Sequence, residues 1–229
     1  MEDRSHTDRH YEAELKGLHV KILEMGGFVE KQIADAVTAM INRDDQQARL
    51  IIDRDDLVNR MDVEVDDLCL RLLALHQPAA RDLRLITTGL KITTDLERIG
   101  DMAVNMCERI LELNREPQLK PFLDLPRMAD VAQHMLHESL DSFVREDVDL
   151  ALAVCREDDV IDDLNFQLFR ELLSYMAEDP QTTSRAIRLL FIAKYLERIG
   201  DHATNIAEMV VFMVRGKSIR HMGQVPPSV

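Results

Sequence analysis

Glu97 and Asp101 stand four residues apart in the stretch LERIGDMAVNMCE (96–108), and Glu197 and Asp201 repeat that spacing in LERIGDHATNIAE (196–208). Nine of the thirteen letters match. On a helix an i, i+4 pair shares one face, about 40° apart at 100° per residue. The same arithmetic adds Thr94, Asn105 and Glu108 to the face of Glu97 and Asp101, and Asn205 and Glu208 to that of Glu197 and Asp201. Each copy is therefore an oxygen-rich stripe that borders the apolar seam without entering it. Carboxylates at this spacing repel by a few tenths of a kcal/mol. A hard cation reverses the sign, because carboxylate and amide oxygens are its preferred ligands. The competing reading is a solvated acidic face, neutralised by Arg84, Lys91 and Arg98 beside it.

Two further features accompany the stripes. Gly100 and Gly200 occupy the same motif position, where glycine costs a helix about 1 kcal/mol relative to alanine. Something must come close there, either a bound group or a tightly crossing helix. More acids repeat the i, i+4 spacing upstream: Asp62 with Asp66, and Asp158 with Asp162. They can face the stripes and complete a multinuclear site. Asn165 and Phe169 stand where Asp62 and Asp66 would recur, so the second site is expected to be the weaker.

Other motifs carry less. His134, His137 and Glu138 match no zinc spelling, and His6 and His10 fall in an expected N-terminal tail. His202, replacing Met102 of the first copy, is expected to be solvated. Glycines at 100 and 200 replace the histidine of the Glu-x-x-His di-iron pattern. No phosphate loop, nucleophile elbow or Ser/His/Asp arrangement is spelled out, so an enzyme is not expected.

The elements that must position these acids form a repeat. "IIDRDD" (51–56) answers "AVCREDD" (153–159), Arg43-Asp44-Asp45 answers Arg145-Glu146-Asp147, and Pro78 answers Pro180, all at offsets of 100 to 103. Such constancy marks a duplicated unit. Each unit reads as three helices, near 11–42, 46–76 and 78–114, then 126–145, 147–178 and 180–215. Seams recur at three-four spacing: Ile51, Val58, Met61, Val65, Leu68, Leu72 and Leu75 on the second helix, and Ile92, Leu96, Ile99, Ala103, Met106, Ile110 and Leu113 on the third. Pro78 is expected in the first turn of its helix. The expected fold is all-α, a tandem duplication of two antiparallel three-helix bundles, 1–118 and 119–229. Residues 1–9 and the C-terminal GQVPPSV read as loose tails.

Composition agrees with long helices: aromatic residues are 4 %, and Gly and Pro number eight and seven in 229 residues. A net charge of −14 opposes nucleic-acid binding, which relies on phosphate neutralisation. No apolar run is long enough for a membrane span, no signal peptide is spelled out, and the three scattered cysteines (Cys69, Cys107, Cys155) read as buried free thiols. A cytoplasmic location is expected.

The doubled LERIGD with Asn105 and Asn205, the segment DLVNRMDVEVD (56–66), QPAARDLRLI (77–86) and GKSIRHMG (216–223) together resemble the PhoU family of bacterial phosphate-signalling regulators. The resemblance spans nearly the whole chain. It implies paired three-helix bundles with pseudo-twofold symmetry, a homodimer, and multinuclear metal clusters (iron or another divalent or trivalent cation) on the bundle surface. Residue by residue, those clusters would use Glu97 with Asp101 and Glu197 with Asp201, helped by Asp62 and Asp66, with Asn105 and Asn205 following each motif. The implied role is repression of the phosphate-starvation response, by contact with the phosphate ABC transporter ATPase and a sensor histidine kinase. A metal-dependent bundle enzyme or metal-storage protein using the same stripes is the alternative, and a scaffold with merely solvated acids a third reading.

Overall fold

The computed structural model describes the backbone of residues 2–219 and the side chains of residues 10–219. Among the described residues there are helices and no strands: α1 (Glu2–Asn42), α2 (Asp45–Asp53), α3 (Asp55–His76), α4 (Ala80–Leu113), α5 (Asp124–Arg145), α6 (Val148–Glu178) and α7 (Thr183–Arg215). One triangle is formed by α1, α4 and the α2–α3 pair, the other by α5, α6 and α7. The two triangles join along α4 with α7 and along α1 with α5. Their apolar faces meet in one continuous core, which includes Leu96, Ile99 and Ala103 from α4 and Leu196, Ile199 and Ala203 from α7. The fold is the expected all-α duplicated bundle. The GQVPPSV tail lies outside the described residues.

Sharp turns set the register of the repeat. Asp44 and Asp147 each cap a helix, Asp44 accepting from the backbone N–H of Gln46 and Gln47, and Asp147 from those of Asp149 and Leu150. The residues before them, Arg43 and Glu146, are both left-handed, with φ of 54° and 52°. The true correspondence is thus Arg43-Asp44 with Glu146-Asp147, an offset of 103, one more than letter matching suggests. After α4, the Arg43 guanidinium donates to the carbonyls of Leu113, Asn114 and Glu116 at 3.2, 3.0 and 2.6 Å, closing the end of that helix.

Five expectations are corrected. Residues 2–9 continue α1 instead of forming a loose tail, since no Gly or Pro before Gly17 interrupts the helix. The second helix breaks at Arg54, whose N–H turns back to the carbonyls of Ile51 and Ile52, while Asp55 and Asp56 open α3 with favourable charge for an N-terminus. Leu75 is 68 % exposed, so the buried seam of α3 ends at Leu72. Pro78 precedes α4, whose cap is Ala79, whereas Pro180 does open a short 3-10 turn before α7. His202 is not solvated: its side chain is 12 % exposed, and its Nδ1 lies 2.7 Å from Asp95 Oδ1 of α4. The Asn205 amide donates to the same carboxylate oxygen at 3.5 Å. This polar bridge therefore sits where the halves meet, with His202 and Asn205 from α7 and Asp95 from α4.

Candidate metal centres: two acidic clusters

The motif glycines explain how the acids come together. A Cβ on Gly100 would stand 3.2 Å from Val58 Cγ1, and one on Gly200 would stand 3.1 Å from Ile161 Cγ2. Glycine therefore serves a tight helix crossing, α3 against α4 and α6 against α7, and not a bound group at the backbone itself. Asp55 and Asp62 lie on α3 on either side of Val58. Once Val58 presses onto Gly100, these two acids are carried against Asp101 and Glu97. The same geometry carries Asp158, three residues before Ile161, against Asp201 and Glu197.

Electrostatics follow from that placement. In the first cluster the Glu97 carboxyl is pushed up by partial burial, then by Asp101 and Asp62, with Arg98 pulling it down. Asp101 is raised by burial and by Asp55. Asp62 is raised by burial and by Asp66, with the nearby Thr93 hydroxyl pulling it down. Its Oδ1 is buried with no hydrogen-bond partner among the described residues. In the second cluster Asp158 is pushed up to about 6, by burial first and then by Asp201 and Asp162, while Thr204 Oγ1 donates to it at 3.3 Å. Asp162 is raised by burial and by Glu197. Here a cation is already built in: Lys194 Nζ lies 2.5 Å from Glu197, at the position held by Thr94 in the first half.

The structure thus brings together Glu97, Asp101 and Asp62, and separately Glu197 and Asp201 with Asp158 and Asp162. Asp66 acts on Asp62 from one turn further along α3. Asn105 is half-buried on the stripe, and Asn205 reaches Asp95. Glu108 is paired with Arg109 at 3.2 Å. Sequence reasoning missed Asp55. Its signal was present, since the offset of 103 that matches the two caps also matches Asp55 with Asp158.

The remaining candidates are structural. Burial raises the thiols of Cys69, Cys107 and Cys155 to about 12, so they stay protonated and poorly nucleophilic. His134 and His137 are exposed beside Glu157 and Glu30. Next to the second cluster an open apolar groove of about 490 Å³ is lined by Phe166, Phe169, Ile187, Leu190 and Phe191 and edged by Asp162 and Lys194.

Comparison with known proteins matches the PhoU domain twice, over residues 22–110 and 125–210, one match per helical triangle. The chain belongs to the PhoU family. It is 42 % identical over 219 residues to the phosphate-specific transport system accessory protein PhoU homolog of Pseudomonas putida, covering 95 % of this chain and 86 % of the relative. It is 38 % identical over 218 residues to PhoU of Escherichia coli K12, covering 95 % and 90 %. The crystal structure of PhoU from Pseudomonas aeruginosa superposes with a TM-score of 0.87 at 43 % identity, covering 90 % of this chain and all of that one. The phosphate transport system regulatory protein PhoU from Streptococcus pneumoniae superposes at 0.86 with 29 % identity, covering 91 % and 99 %. These relatives are named as accessory and regulatory proteins, and the family is not one of enzymes.

Proposed function

We propose that this protein is an accessory regulator of a phosphate-specific transport system, acting by contact and not by catalysis. The observation that carries the reading is identity near 40 % across both repeats with relatives that bear that name. The finer role is to report phosphate sufficiency from the transporter's ATPase to a sensor histidine kinase in the cytoplasm, holding the starvation response off. Among the described residues no helix is long and apolar enough to cross a membrane, so contact would be made through partners. A homodimer is the form proposed to act.

The two acidic clusters are the proposed metal centres. The donor type fits a hard cation; among the described residues no three of these acids bring oxygens within 4.8 Å of one another, so an ion would have to draw them in. They are carboxylates gathered at a helix crossing, with those of Glu97, Asp101 and Asp62 raised by burial first and then by acidic neighbours, and Asp62 Oδ1 is buried without a partner among the described residues. Glu97, Asp101, Asp62 and Asp55 would hold the first ion or cluster, with Asp66 behind Asp62. Glu197, Asp201, Asp158 and Asp162 would hold the second, more weakly, because Lys194 already neutralises Glu197. A bound iron or other divalent or trivalent cation supplies charge neutralisation and a clamp between helices. A metal-storage or metal-enzyme role draws no support from the relatives' names.

The regulatory reading is tested by deleting the gene and following a phosphate-starvation reporter. Expression is expected to be high in phosphate-rich medium. A reporter that stays low and still responds normally to phosphate would overturn it.

A further inference from the structure

A second kind of metal site stands at the far end of the first bundle, away from the acidic clusters. His10 and Glu14 lie one turn apart on α1, and His76 is the last residue of α3. The His76 Nε2 is 3.0 Å from Glu14 Oε2, and His10 Nδ1 is 3.5 Å from the same oxygen. One donor atom from each of the three residues lies within 4.8 Å of the other two. Donors about 2.0–2.1 Å from a tetrahedral ion stand about 3.3–3.4 Å apart. The two shorter separations bracket that spacing, and the third, within 4.8 Å, would close by movement of the exposed His10 imidazole. We propose that His10, Glu14 and His76 form a site for a divalent cation of the zinc class, with solvent in the fourth position.

The chemistry separates this site from the acid rows. Two imidazoles and one carboxylate suit zinc or cobalt, whereas oxygen-only clusters suit harder ions. The surroundings hold the fixed ligands in place. His76 packs against the Tyr11 ring at 4.7 Å between centroids, and the Tyr11 hydroxyl donates to Asp82 on α4 at 3.1 Å. Arg71 approaches the other oxygen of Glu14, Oε1, at 3.7 Å, so Oε2 stays turned towards the two imidazoles. A metal here fastens α1 at His10 and Glu14 to the end of α3.

The test is a Co²⁺ titration of the untagged full chain with Mg²⁺ in excess to fill oxygen sites. One equivalent of an intense visible absorption is expected, the mark of a four-coordinate site in contrast to six-coordinate oxygen sites, and Zn²⁺ is expected to displace it. His10→Ala should weaken the signal at least about tenfold, the lower edge of what losing even an outer partner costs a metal. His10 is 71 % exposed in its side chain, so this variant keeps its fold where His76→Ala can lose it. His137→Ala, which removes an exposed surface histidine on α5, should change nothing. An absent signal, or a signal equal in wild type and His10→Ala with circular dichroism unchanged, overturns the site.

Discussion

Asp158 is the acid under greatest pressure in the second cluster. Burial and the neighbouring Asp201 and Asp162 push its carboxyl to about 6. The folded state thus holds this proton more tightly than the unfolded chain, where the ordinary value is 3.8. Its contribution favours folding below about pH 4 and is lost as pH rises through 6. In metal-free buffer, Asp158→Asn should therefore match wild type near pH 4 and be more stable at pH 7.5. Because solvent reaches this half-buried group, the gain should be only about 1 kcal/mol. Melting curves with the same gap at both pH values would show that Asp158 does not titrate this way. The paired change Glu97→Asn with Asp101→Ala tests the first cluster. Metal content after reconstitution should fall by one site's worth while helicity stays level, and the metal-free form should be stabilised by a few tenths of a kcal/mol as repulsion is relieved. Near-zero metal in both proteins would reduce these acids to packing or partner contact. The stripe acids were legible in the sequence because i, i+4 spacing needs only the helix itself. Asp55 was legible only through the 103-residue offset to Asp158, since its place against Asp101 depends on the register of one helix on another, and the break at Arg54 disguises that register.

Helix crossings decide whether the acids can cooperate, and the glycines decide the crossings. Gly100→Ala sets two effects against each other. Alanine favours the helix by about 1 kcal/mol, while its Cβ presses on Val58 at 3.2 Å. Net stability should move little, yet Val58 must give by a few tenths of an ångström, and a shift of α3 to make that room would carry Asp55 and Asp62 with it. Metal affinity at the first cluster is therefore expected to fall more than the melting temperature changes. Equal affinity by calorimetry would show that the crossing does not set the site. The helices themselves were readable from seams, caps and prolines, and every third-helix seam residue from Ile92 to Leu113 is buried. What local pattern could not tell was where a helix pauses. The run Asp53-Arg54-Asp55-Asp56 suits both a helix interior and a fresh N-terminus, and tertiary packing chose the second.

For the molecule as a whole, contact is the proposed business, and its surface offers an apolar place for it. Phe166, Phe169 and Phe191 are 63, 44 and 49 % exposed around the groove beside the second cluster. Replacing Phe166 and Phe169 by Ser should leave stability within about 0.5 kcal/mol, as exposed changes do. Binding to the transporter ATPase or kinase, measured by interferometry, should weaken about tenfold or more if this face is used. Unchanged binding to both would assign contact to another face. With a net charge of −14, association rates should also fall as salt rises, if partners present basic rims. Duplication and helix order were visible in the sequence, but how the halves grip each other was not, because Asp95 and His202 come from non-equivalent positions. That bridge has a consequence for the history of the chain. At the mirrored positions stand Tyr195 and Met102, so the two halves are no longer interchangeable parts. A protein assembled from two first halves would set Asp95 against methionine, leaving it without the imidazole that now meets it. One assembled from two second halves would set His202 against tyrosine. Whatever symmetry the ancestral doubling began with, each half now carries something the other must answer, and neither can be replaced by a copy of its twin.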